Sequence, residues 1–141
     1  MENEQKLGAG ILTISIILLI GTVIGIFGVI IGLTVGDSIN AIALESGQID
    51  ESMLLSSGDY VFSLITTLIS GISVVLILMK NKYGIYGYFT IFILSNVYSL
   101  IMYGIAGIQP VSVILSVALA ALYGFFIYKK RVLFGFSKET I

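Results

Sequence analysis

The chain contains no cysteine, no histidine and no tryptophan. Without cysteine it has no disulfide, thiol nucleophile or acylated anchor, and without histidine as well the usual zinc sites and imidazole proton relays are excluded. Charge is scarce: only 11% of the 141 residues are charged, where soluble domains carry about 25%. What remains is apolar, 57% hydrophobic with a mean hydropathy of +1.10. Water is not the main solvent of such a chain. Four membrane-spanning helices of about 20 residues would use about 80 residues and leave the rest for tails and loops. The isoleucine-rich, cysteine-free usage also fits an AT-rich prokaryotic genome.

Charge divides the chain into three uncharged stretches, Leu7 to Gly36, Tyr60 to Met79 and Tyr83 to Tyr128. A single helix over the third would be about 69 Å long at 1.5 Å per residue, more than twice the hydrocarbon thickness, so it must hold two spans. The break falls at Gly107-Ile108-Gln109-Pro110, where glycine ends one helix and proline opens the next. The expected spans are about 8–35, 60–80, 84–106 and 110–129, within a single transmembrane domain covering residues 1–141. Hydrocarbon offers the backbone no hydrogen-bond partners, and the alternating pattern of a β-barrel is missing. The fold class is therefore all-α, a polytopic four-transmembrane-helix bundle.

All seven bases, Lys6, Lys80, Lys82, Lys129, Lys130, Arg131 and Lys138, fall on one side of this threading. The 37–59 loop on the other side carries Asp37, Glu45, Asp50, Glu51 and Asp59 and no base. Bases are retained in the cytoplasm, so both termini are expected there, with loop 37–59 extracytoplasmic and the whole in the cell membrane. The acidic start Met1-Glu2-Asn3-Glu4 and the long apolar run after it argue against a cleaved signal, and the first span is expected to be retained. Within the outer loop, Ile39, Ile42 and Leu44, then Ile49, Met53 and Leu54, are spaced as two short amphipathic helices divided by Gly47 and lying on the membrane surface. Gly58 with Asp59 is expected to close that loop and cap the second span.

Small residues are patterned. Gly21, Gly25, Gly28, Gly32 and Gly36 lie on one face of the first helix and form overlapping GxxxG motifs, which allow close backbone approach in a medium that supplies no hydrophobic drive. Ser112, Ser116, Ala120 and Gly124 form a similar ladder on the fourth helix, and Ser63, Thr67 and Ser70 or Gly71 a looser one on the second. These are the expected helix-packing faces, within one bundle or toward a second copy or another membrane protein.

The third span is the most aromatic and polar, with Asn96 near its centre and Ser99 and Tyr103 on the same face. An amide at that depth should face protein or a wet cavity. It serves as interhelical glue, or as a polar lining for a solute path formed by Asn96, Ser99 and Tyr103 with Ser70, Ser73 or Ser116. Tyr83, Tyr86, Tyr88, Tyr123, Phe125, Phe126 and Tyr128 read as an interfacial belt, with Lys129, Lys130 and Arg131 as an anchor at anionic headgroups.

Catalytic patterns are missing. No ionisable residue lies within a span, so the membrane-embedded glutamate on which small four-helix exporters depend has no counterpart here. Serines have no base or metal at their depth, and no phosphate loop or calcium-loop spacing occurs. The leading expectation is a non-catalytic protein acting as an accessory or assembly subunit, or a homo-oligomer, through its small-residue faces. The alternative is a passive pore or carrier for a small neutral or weakly polar solute, and an intramembrane enzyme ranks last. No catalytic residue, metal or cofactor is expected. The expected partners are the lipid bilayer and a second copy or another membrane protein, without nucleic acid.

Overall fold

The computed structural model describes residues 6–47, 56–105 and 110–136. It contains four helices, α1 (Ala9–Glu45), α2 (Ser57–Leu78), α3 (Lys82–Tyr103) and α4 (Pro110–Lys129), followed by a 3-10 turn at Arg131–Phe134. All four are long and apolar enough to cross a membrane, and no strand occurs among the described residues. The protein is a four-helix, multi-pass membrane bundle. Most of its large aliphatic side chains lie exposed, from Ile16 and Ile20 on α1 to Leu115 on α4, as hydrocarbon solvent permits and water would not.

The expected 37–59 loop is corrected. α1 does not stop at Gly36 but runs 37 residues to Glu45, a length of about 55 Å against a hydrocarbon core of about 30 Å. Asp37 ends the apolar run, yet a charge ends a membrane span and not a helix. No proline intervenes, and Ala41, Ala43, Leu44 and Glu45 are good helix formers. The helix closes only where Gly47 takes φ 67 and returns its N–H to the Leu44 carbonyl. Ile39, Ile42 and Leu44 thus belong to α1 itself. Ile49, Asp50, Glu51, Met53 and Leu54 lie outside the described residues, as do Gly107, Ile108, Gln109 and Lys138.

The start of α2 is corrected in part: Asp59 belongs to the cap as expected, but Gly58 does not. Ser56, not Gly58, is the N-cap: its hydroxyl accepts from the Asp59 N–H at 3.3 Å while the Asp59 carboxylate accepts from the Ser56 N–H at 2.8 Å. This reciprocal box satisfies donors that the first turn leaves open.

α2 and α3 form a tight antiparallel hairpin. Lys80 adopts φ 59, Asn81 N–H bonds back to the Leu76 carbonyl at 2.9 Å, and the Asn81 side chain then caps α3 by accepting from Tyr83 N–H. The hairpin closes because Gly84 lies against α2: a Cβ there would stand 2.5 Å from the Ser73 carbonyl oxygen and 2.6 Å from the Ile77 nitrogen. α1 packs along the other side of α2, and α4 packs on α1.

The tightly packed core is confined to one end. Ile11 and Ile14 of α1, Val74 and Ile77 of α2, Ile85 and Tyr88 of α3, and Tyr123 and Ile127 of α4 meet there, with Phe134 of the 3-10 turn closing beneath. This is the basic end, where α1 begins, α2 ends, α3 begins and α4 ends. At the opposite, acidic end α4 is poorly covered: Val111, Ile114 and Leu115 are exposed, and its buried residues begin only at Ala120.

Candidate functional site: a hydroxyl-lined cavity between the helices

Above the core two adjoining open clefts lie between the helices. The central one, of about 440 Å³, has Gly21, Thr22 and Gly25 of α1 on one wall and Thr66, Thr67 and Ser70 of α2 on another. Ser95 of α3 and Ser116 of α4 complete its polar lining, and Tyr88 is among its lining residues. The second, of about 360 Å³, lies nearer the acidic end, between Gly25 and Gly28 of α1, the first turns of α2 and the last turns of α3. Gly25, Thr66 and Ser95 line both, so the two adjoin.

The glycine ladder of α1 makes this space. Side chains at Gly21 and Gly28 would meet nothing within 4 Å. Gly25 receives the Thr67 side chain at 3.3 Å, and the Tyr60 ring lies against Gly32 and Gly36. The α4 ladder also turns inward in its second half: Ser116 lines the cavity, Ala120 is buried and Gly124 receives the Phe89 ring at 3.2 Å, while Ser112 is exposed. On α2, Gly71 packs against Thr22.

Of the six polar-lining candidates, Ser70, Ser99, Tyr103 and Ser116 line the cavities. Ser73 is buried at the α2–α3 contact, where its hydroxyl donates to the Ile69 carbonyl at 2.7 Å. Asn96 donates its amide to the Phe92 carbonyl of its own helix at 2.7 Å, and its neighbours Ser95 and Ser99 face the space instead.

Four of the hydroxyls around the cavity share one habit. Thr22 donates to the Leu18 carbonyl, Thr66 to Phe62, Ser95 to Ile91 and Ser116 to Val113. Back-bonding of this kind satisfies a hydroxyl proton where no water is at hand. It leaves the oxygen lone pairs, and the cavity wall at these four positions presents acceptors rather than donors.

Asp59, expected to close the 37–59 loop and cap the second span, stands in the first turn of α2, where it completes the cap and lines the second cavity. Its Oδ2 accepts from the Ser56 N–H and hydroxyl, both at 2.8 Å, and its Oδ1 accepts from the Tyr98 hydroxyl of α3 at 2.9 Å. Tyr98 is stacked on Phe62 with centroids 3.8 Å apart, and Tyr60 and Tyr103 complete an aromatic rim. Ser56 three residues before Asp59, the spacing of a capping box, was the sequence signal for this placement. The partnership of Asp59 with Tyr98, 39 residues away, left none.

Below the cavity the basic end is sealed by a hydrogen bond of 2.7 Å between Ser15 Oγ and the Tyr123 hydroxyl, both fully buried. Tyr88 meets Tyr123 edge-on with centroids 5.3 Å apart. Tyr88 and Tyr123 therefore leave the expected interfacial belt: their positions on α3 and α4 turn them into the core, where the edge of one ring meets the face of the other. Tyr83, Tyr86, Phe125 and Tyr128 remain exposed. The basic cluster sits beside them, Lys129 over the Phe125 ring at 4.9 Å and Arg131 over Tyr128 at 5.0 Å with a hydrogen bond to its hydroxyl. Lys130, half-buried, lies near Gly8.

The chain matches no protein-family model, no curated protein and no solved structure.

Proposed function

We propose that this protein is a non-catalytic carrier or receptor that takes a small, weakly polar solute into the cavity between its helices. The supporting observation is the use made of the glycines: Gly21 and Gly28 of α1 are exposed and border the clefts between the helices, with no neighbour within 4 Å of where a Cβ would stand. A groove lined by glycine leaves room for an occupant that a side chain at these positions would displace. The cavity adjoins the acidic end and is sealed at the basic end, the form of a carrier with one side closed. The base distribution argues for a cell-membrane setting with both termini in the cytoplasm, so the sealed end would be cytoplasmic and the acidic end external.

Proteoliposomes of the purified protein, challenged with a panel of glycerol, urea and ethylammonium, test this reading. At least one solute should equilibrate faster than in protein-free liposomes, and Gly28→Leu should remove the gain while Ile24→Val, at a position 65% exposed, should not. No acceleration for any solute overturns the proposal.

The assembly reading, an accessory subunit or homo-oligomer, draws support from α4, whose first half is left uncovered at Val111, Ile114 and Leu115. Because the chain has no cysteine, Ile114→Cys places a single thiol there. A disulfide-linked dimer in native membranes would favour this reading, and a monomer under oxidation would remove it.

A further inference from the structure

We infer that the outer part of the cavity is a recognition site for an ammonium group, so that the solute class is that of small amphiphilic amines in their charged form. This rests on the cavity reading and narrows it.

Three observations converge. The first is an uncompensated carboxylate. Asp59 lines the second cavity, and among the described residues every Lys and Arg lies at the other end of the bundle. Its three hydrogen bonds come from Ser56 and Tyr98, which are neutral groups. The carboxylate is held in its charged form by these hydrogen bonds and by its place in the first turn of α2, and among the described residues it has no base beside it, so a cation entering the cleft would be its counter-charge. The capping role of Asp59 does not account for all of this. The cap uses Oδ2 alone, while Oδ1 is held by Tyr98 from a neighbouring helix and so is aimed across the cavity wall.

The second is the aromatic rim. Tyr60, Phe62, Tyr98 and Tyr103 line the same space, and the stacked Phe62–Tyr98 pair holds two of these rings in fixed orientation. Rings around one carboxylate give apolar cover to the hydrocarbon part of an organic cation, whereas a hydrated metal ion demands several oxygen ligands.

The third is the polarity of the lining further in. With the protons of Thr22, Thr66, Ser95 and Ser116 committed to backbone carbonyls, these walls offer acceptors to a bound molecule. A donor-only group such as R–NH3⁺ is complementary to them, whereas an anion finds repulsion at Asp59 and no donor at these four hydroxyls.

The test compares benzylammonium with ethylbenzene, its uncharged isostere. Binding of each to the full chain in phosphatidylcholine nanodiscs is measured by equilibrium dialysis, with empty nanodiscs subtracted. Asp59→Asn should weaken benzylammonium by about tenfold and ethylbenzene by less than twofold. The wild-type protein supplies a second readout: raising salt from low to high should weaken the ammonium and leave the hydrocarbon unchanged. If both compounds bind with the same salt response and Asp59→Asn alters neither, ammonium recognition is refuted while the cavity reading stands. If neither is retained above empty nanodiscs, both readings fall.

Discussion

Gly84 carries the α2–α3 contact. Its missing Cβ would stand 2.5 and 2.6 Å from backbone atoms of α2, which cannot swing aside as a side chain can. Gly84→Ala should therefore destabilise the bundle by about 1–3 kcal/mol, read as a lower thermal midpoint in detergent. Gly21→Ala, at a position with nothing within 4 Å, should leave stability unchanged or raise it by up to about 1 kcal/mol, as expected for Gly to Ala within a helix. Equal losses at the two positions would contradict the packing described. The Ser15–Tyr123 pair supplies a second contrast. Tyr123→Phe leaves a buried serine hydroxyl without its partner and should cost about 1–3 kcal/mol, and adding Ser15→Ala to it should recover part of that loss. Strictly additive losses in the double-mutant cycle would show that the two hydroxyls do not act together. Gly84 and the Ser15–Tyr123 pair were invisible in the sequence. One has no patterned neighbours, and the other joins residues 108 positions apart.

At the scale of the element, α1 and α2 separate two properties that hydropathy merges. A run of apolar residues marks where a helix is in hydrocarbon, and its end marks where water begins. Backbone hydrogen bonding continues past that point if propensity allows, as it does from Asp37 to Glu45. Residues 39 to 45 are mostly exposed, and their amides should exchange with deuterium far faster than those of residues 11 to 29. Uniform protection along α1 would show that the extension is packed against something further. The N-cap of α2 makes an independent prediction: Ser56→Ala should cost about 1 kcal/mol and, because Ser56 also holds the Asp59 carboxylate, should loosen the Asp59–Tyr98 bond.

For the whole molecule, the arrangement is a bundle whose buried core lies at one end, with open clefts between the helices, one of about 410 Å³ beside Arg131 among them. All of its described bases gather at the end that holds the core, and Asp37, Glu45 and Asp59 lie toward the other. If the base distribution sets the topology, an impermeant amine reagent applied to intact cells should leave Lys80 and Lys129 unlabelled, while Glu45→Cys should react from outside with an impermeant maleimide. The reverse pattern would invert the proposed orientation of the cavity. Solvent chemistry decided much of this in advance. Absence of charge over long runs, with hydrocarbon unable to satisfy a free backbone, determined from sequence alone that the chain forms four spanning helices. Periodicity likewise identified which glycines share a face. Only the tertiary structure decided what that face meets, because a glycine stripe serves equally as a helix contact or as the wall of a space. The same limit hid Asp59: its charge was legible, but its hydrogen bond to Tyr98 depends on how far α2 and α3 slide along each other, and that register is set by the backbone contact at Gly84 and by the hairpin turn, not by any local pattern.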